Sequence, residues 1–148
     1  LLLTNLPLQI FAHNVECVPR LDSLVRDPRA SFTQSLEILK EAKRLRPDML
    51  TKSSIMVGLG ESDEEVVETM KLLREIDVDI LTIGQYLPPT TKHAKLEKFV
   101  TPKEFDEYKQ MAVAKGFLMV ASSPLTRSSY HASEDFRVMQ QNRASKNF

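Results

Sequence analysis

Residues 50–65, LTKSSIMVGLGESDEE, constrain this chain most, because an apolar run enters a two-glycine turn and leaves as a capped helix. Ile55, Met56 and Val57 form a short continuous apolar run ending at Gly58, the pattern of a strand buried on both faces of a parallel sheet. Ser62 followed by Glu65 is a capping-box spacing that satisfies two free N–H groups at a helix start. A strand, a tight turn and a helix follow from those sixteen residues, and in α/β sheets ligands bind at the strand's carboxyl end. The turn reads Gly58-Leu59-Gly60-Glu61, without the third glycine of a dinucleotide fingerprint or the Gly-Lys-Ser/Thr ending of a phosphate loop. Glu61 would also set like charge beside an anion. A ligand site and a purely structural turn are both compatible with this stretch alone.

The same rhythm repeats on either side. Alternating apolar positions predict a strand over residues 8–12, and His13-Asn14-Val15-Glu16 then place an imidazole, a carboxamide and a carboxylate at its carboxyl end. The bland alternative is that Asn14 serves a turn and His13 caps the strand. A short helix or turn is expected from Pro19 to Val25, broken by Asp27-Pro28. A longer helix is expected over residues 33–46, capped by Ser31 or Thr33, with Leu36, Ile38, Leu39, Ala42 and Leu45 as its apolar stripe. Lys40, Lys43, Arg44 and Arg46 crowd its later half, where positive charge complements the helix dipole. After the glycine turn, Val66, Val67, Met70, Leu73 and Ile76 recur at helical spacing and hand over to a strand at Ile80 to Ile83. Gly84-Gln85-Tyr86-Leu87 carries polar groups past that strand, and residues 88–93 form a proline-interrupted loop with His93 exposed. Thr101-Pro102 with Glu104 starts another helix, Gly116 ends it, and residues 117–121 form a further buried strand. Residues 122–131 then gather hydroxyls, Arg127 and His131 beyond the same edge, with a closing helix expected over 134–141. No Gly-x-Ser-x-Gly elbow surrounds Ser129, so no serine hydrolase is implied.

At 148 residues the chain can bury one sizeable core, and its 20 basic against 20 acidic residues give no electrostatic reason to expect nucleic acid or an anionic membrane. The single cysteine, Cys17, excludes an intramolecular disulfide and any all-cysteine metal site within this chain. Polar residues interrupt the apolar opening Leu1-Leu2-Leu3 long before the roughly 20 residues that span a bilayer. That opening reads as the cut edge of a longer protein.

With these residues in hand, the chain from Phe11 to Ala132 resembles lipoyl synthase, a radical S-adenosylmethionine family. The resemblance rests on His13-Asn14-Val15-Glu16-x-Val18-Pro19, Thr51-Lys52-Ser53, Gly58-Leu59-Gly60-Glu61, Gly84-Gln85-Tyr86-Leu87 and Arg127-Ser128-Ser129-Tyr130-His131-Ala132, in that order. It implies an α/β fold, a partial TIM barrel forming the C-terminal half of a (β/α)6-type barrel. Residues 122–148 would be its cluster-ligand loop and tail. The cofactors implied are S-adenosylmethionine and two 4Fe-4S clusters, one cleaving S-adenosylmethionine and one consumed as sulfur donor to an octanoyl chain on a lipoyl-domain lysine. In such chemistry the cofactors carry the hard steps and the protein positions them.

Carried over by residue, Ser129 matches a serine ligand of the sulfur-donating cluster and Arg127 supports its loop. Asn14, Glu16, Ser54, Met56, Gly58, Gly60 and Glu61 match parts that bind S-adenosylmethionine, while Gln85 and Tyr86 lie toward the adenine side. Implied partners are an octanoylated lipoyl-domain protein, either a 2-oxoacid dehydrogenase E2 subunit or glycine cleavage H protein, and an electron donor such as ferredoxin or flavodoxin. The implied compartment is the cytoplasm in a bacterium and the mitochondrial matrix or plastid in a eukaryote. Neither cysteine motif of the family is present, and Cys17 stands where the family usually has threonine, so this chain alone is expected to bind neither cluster and to be inactive. Residues 88–94 also depart from the family's usual Gln-Pro-x-x-x-His-Leu, though His93 is kept. Exposed edge strands and marginal stability are expected of such a piece. Two other readings compete: a non-catalytic docking module for a lipoyl-domain partner, and an unrelated α/β protein binding a nucleotide at the glycine turn.

Overall fold

The structure, a computed structural model, describes residues 9–127. Its elements are β1 (Ile10–Ala12), a 3-10 turn (Pro19–Leu21), α1 (Asp22–Val25), α2 (Phe32–Leu45), β2 (Leu50–Val57), α3 (Asp63–Glu75), β3 (Ile80–Gln85), α4 (Pro102–Ala114) and β4 (Met119–Ser122). The four strands form one sheet in the order β1-β2-β3-β4, and every pairing is parallel. Strand order that follows chain order, with a helix in each crossover, is the winding of a barrel rather than of a doubly wound sheet, whose order reverses part-way. The expected α/β partial barrel is therefore what the described residues form. Ser129 and the expected helix over 134–141 lie outside them.

Burial divides the sheet into two faces. The face toward the helices packs Ile55, Val57, Leu81, Ile83 and Val120 against Leu39 of α2, Val66, Met70 and Leu73 of α3, and Phe105, Tyr108 and Ala112 of α4. The opposite face carries a separate small cluster in which each strand supplies one residue, Ile10, Leu50, Ile80 and Met119. Above that apolar floor, toward the carboxyl ends, the same face turns polar at Ser54 and Thr82, which are register partners. Strand alternation thus separates a packed exterior from an inner face whose polarity rises toward one end.

The helix ends follow the local chemistry. Ser31, not Thr33, caps α2 by accepting the Gln34 N–H, and Ser62 with Glu65 and Thr101 with Glu104 form complete capping boxes. Gly116 takes a φ of 98° just past α4, the left-handed conformation that favours glycine. The buried stripe of α2 is Phe32, Ser35, Leu39 and Ala42, so Ile38 and Leu45 lie to its side.

At the amino end of the sheet a charged tie closes the crossovers. Asp79 Oδ2 accepts from Lys43 Nζ of α2 at 2.5 Å and from the Thr51 N–H of β2 at 2.9 Å, while its carbonyl accepts the Leu118 N–H ahead of β4 at 2.8 Å. The Asp79 and Lys43 side chains are about 15% exposed, so removing the carboxylate leaves the ammonium in a partly desolvated place with the Met49 carbonyl, at 2.9 Å, as its remaining acceptor. Asp79→Ala is expected to cost about 2–3 kcal/mol in urea unfolding, as for hydrogen bonds to charged groups. A loss under about 0.5 kcal/mol would show that the tie contributes no more than a surface pair.

Candidate functional site

Polar side chains converge where the inner face meets the carboxyl ends of the strands. A cleft of about 550 Å³, counting its part open to solvent, is lined by Asn14 and Glu16 after β1, Ser54, Ile55 and Met56 of β2, Gly84 and Gln85 of β3 with Leu87 beyond it, and Thr126 and Arg127 after β4. All four strands or their exits contribute, which places the cleft at the edge where α/β sheets bind ligands. Of the sequence-derived site residues, Asn14, Glu16, Ser54, Met56, Gln85 and Arg127 line it. Gly58, Gly60, Glu61 and Tyr86 do not, and Ser129 lies outside the described residues.

Glu16 reaches the cleft by an unusual backbone. Its φ is 73°, a left-handed conformation costly for a side-chain-bearing residue, and it is held by its N–H donating to the Ser54 carbonyl at 3.1 Å and its carbonyl accepting the Met56 N–H at 2.8 Å. The chain therefore bulges over Asn14 and Val15 before rejoining β2, and the Val15 N–H donates to Ser53 Oγ at 3.2 Å. Among the described residues none hydrogen-bonds the Asn14 amide, the Glu16 carboxylate or the Ser54 hydroxyl. Deeper on the same face, Thr82 Oγ1 is buried without a partner. Polar groups left open around one cleft are the condition for holding a polar ligand or ordered water.

The glycine turn is satisfied from within. Glu61 folds its carboxylate back onto the turn, accepting the Gly58 N–H at 2.6 Å and the Leu59 N–H at 2.9 Å. The Gly58 carbonyl accepts the Glu97 and Lys98 N–H groups, and the Gly60 carbonyl accepts Arg20 Nη2 at 2.9 Å. A Cβ on Gly58 would collide with Gln85 Nε2 and the Lys98 carbonyl, so glycine is needed there for the protein's own strap, residues 94–100. A nucleotide phosphate would have to displace Glu61 from both amides, so the glycine-turn nucleotide reading fails. Any influence of Glu61 on the cleft passes through the position of the turn.

Gln85 and Tyr86 hold the same strap. Gln85 Nε2 donates to the Lys98 and Tyr86 carbonyls and its Oε1 accepts the Val100 N–H at 2.9 Å, while Tyr86 Oη donates to the Ala94 carbonyl at 2.7 Å. Gln85 belongs to β3 itself, as its last residue rather than past its end. Ser35 Oγ accepts from Arg26 Nη1 at 2.8 Å and lies 3.0 Å from His13 Nε2, which sets the Arg26 guanidinium close to the imidazole. Burial, and then the charge of Arg26, lower the His13 pKa below its ordinary 6.5.

No family model matches the chain. Curated relatives do: the human mitochondrial lipoyl synthase is 56% identical over 129 residues, covering 87% of this chain and 35% of the relative. The chloroplastic lipoyl synthase 2 of Oryza sativa subsp. indica is 58% identical over 129 residues, and the lipoyl synthase of Marinobacter nauticus 55% over 129. Lipoyl synthases are homologues of this chain over 87% of its length. The chain spans about a third of the length of those lipoyl synthases.

The family's cofactors fit these residues unequally. Cys17 is fully buried, and burial foremost pushes its thiol up to about 12, so it offers no ready thiolate. Among the described residues no three His, Cys, Asp or Glu are grouped to hold a metal ion, so they do not fit a cluster. S-adenosylmethionine suits the cleft better, because its lining offers one carboxylate, Glu16, one guanidinium, Arg127, and the apolar flanks Met56 and Leu87.

The signals that could have exposed the missed features are specific. Gly84 sits inside a strand pattern, which marks a close backbone approach, and the strap residues Glu97, Lys98 and Val100 carry no motif at all. Gln85→Ala is expected to free residues 94–100 and to cost about 1–3 kcal/mol, the range for orphaning buried partners. Urea unfolding with limited proteolysis of the strap measures it, and unchanged cleavage would disprove the restraint. Because the folded pKa of His13 lies below its unfolded value near 6.5, its contribution is present above that value and lost as pH falls through the folded pKa. The Tm difference between wild type and His13→Gln is thus expected to be flat above about pH 7 and to shift on acidification below 6.5.

Proposed function

We propose that this chain supplies the S-adenosylmethionine-facing carboxyl edge of a lipoyl synthase that inserts two sulfur atoms into a protein-bound octanoyl chain. The observation that carries the reading is the cleft in which Asn14, Glu16, Ser54, Met56, Gln85 and Arg127 meet from every strand of the described sheet or its exit. Opposite charges at Glu16 and Arg127 suit the zwitterionic amino-acid end of S-adenosylmethionine, and Asn14 and Ser54 offer neutral hydrogen bonds between them. Met56 and Leu87 give apolar surface for its adenosine end. The bound groups supply one-electron cleavage and sulfur; this chain's residues bind, orient and exclude water.

Arg127 and Ser129 are assigned to the catalytic loop, with Ser129 as ligand of the sulfur-donating cluster. Both 4Fe-4S clusters take their cysteine ligands from outside this sequence, so the isolated chain is inactive. The substrate is an octanoylated lipoyl domain, of an E2 subunit or H protein, and a ferredoxin or flavodoxin supplies electrons. The mitochondrial, chloroplastic and bacterial relatives favour the matrix, plastid or bacterial cytoplasm, and among the described residues no helix is long and apolar enough to cross a membrane. A docking module without chemistry is the second reading, favoured by the single buried cysteine.

A chimera separates the two. Residues 11–132 are exchanged for the matching stretch of the Marinobacter nauticus lipoyl synthase, and the purified product is assayed for octanoyl-to-lipoyl conversion. Conversion within about tenfold of the parent is expected, and Glu16→Gly should weaken S-adenosylmethionine binding at least roughly tenfold, the loss of one charged contact. A folded chimera that binds a lipoyl domain but not S-adenosylmethionine would leave the docking reading standing.

A further inference from the structure

Gly84 lies on the inner face of β3, opposite Met56 of β2, with a backbone that any residue could adopt. Its requirement for glycine is therefore one of space. A Cβ there would collide with the Thr126 carbonyl oxygen, approach the Thr126 carbonyl carbon to 3.3 Å and reach Arg127 Nη1 at 3.7 Å. The chain after β4 thus lies directly across the bare backbone of β3.

That crossing is built. The Ser123 N–H donates to the Ile83 carbonyl at 3.3 Å, the Thr126 N–H closes a turn onto the Ser123 carbonyl at 3.1 Å, and the two hydroxyls meet at 2.8 Å. Thr126 is 2% exposed, and its carbonyl accepts Arg127 Nη1 at 2.9 Å. The same carbonyl rests on Gly84 and holds the guanidinium in the cleft wall. We propose that Gly84 is a positioning residue: its missing side chain seats the 123–127 turn on β3 and so sets where Arg127 stands in the cleft. The ligand named for the cleft rests on the proposed function above; the seat itself rests on contacts alone. A backbone carbonyl cannot be trimmed, so an added methyl group must move either the turn or the strand.

The test compares Gly84→Ala with Gly116→Ala in the loaded chimera. Gly116 serves as the control because it is remote from the cleft, and alanine there strains a φ of 98° while its Cβ meets nothing nearer than 3.7 Å. Hydrogen–deuterium exchange of the 123–127 peptide is read without ligand, and S-adenosylmethionine affinity by equilibrium dialysis. Gly84→Ala is expected to speed exchange in 123–127 and to weaken binding, each by about tenfold or more, while Gly116→Ala does neither at a comparable fall in Tm. Unchanged exchange in Gly84→Ala overturns the seat. Faster exchange with affinity within about twofold of wild type overturns the positioning role. The same losses in Gly116→Ala reduce both to general destabilisation. If the unsubstituted chimera fails to bind S-adenosylmethionine, the proposed function falls, and the exchange readout alone decides the seat.

Discussion

Lys52 to Val57 of β2 stand in unbroken parallel register with Ile80 to Gln85 of β3, and the placement of the cleft depends on that pairing. It sets Ser54 beside Thr82 and Met56 beside Gly84 on one face, and Ile55 beside Ile83 on the other. A slip of one residue would turn Ser54 and Met56 of β2 away from the face that carries Thr82 and Gly84. Register is therefore fixed mainly by burial on the helix side, and the cleft inherits it.

Two devices then finish the edge. On the helix side, the strap over residues 94–100 is drawn onto the strand ends by Gln85, Tyr86 and the Gly58 carbonyl, while Glu61 neutralises the turn's own donors. On the inner side, the turn after β4 settles on Gly84. Gly58 and Gly84 each accommodate another piece of this chain, and the polar groups left to line the cleft include Asn14, Glu16, Ser54 and Arg127. Strain is concentrated at Glu16, the lining residue whose backbone is left-handed. Such strain persists when neighbouring contacts over-determine it, as the two bonds from β2 do here.

The helices, caps and strands were legible because each has a short-range cause. Ser62 and Thr101 announced their helices through partners three residues away, and Ile55 to Val57 announced a buried strand by composition. Asn14, Glu16, Gln85 and Arg127 sat in motifs that the chain alone placed at strand ends, where the cleft lies, whereas a part in a site was implied for them, as for Ser54 and Met56, only by the family resemblance. Glu61 illustrates the limit. Its place in Gly58-Leu59-Gly60-Glu61 marked it as part of a site, yet whether a carboxylate faces a ligand or the two amides before it is a matter of rotamer and packing.

Sequence by itself determined the element order, the parallel winding and the end of the sheet that carries polar residues, since all three follow from local periodicity and from the short connections between elements. Tertiary structure decided which of those polar groups stay open and which are spent internally. Gln85 became a clamp for residues thirteen and fifteen positions away, and Gly84 a seat for a carbonyl forty-two positions on. Contacts between residues so far apart in sequence carry no local pattern; they exist only once parallel strands bring distant backbones within van der Waals reach.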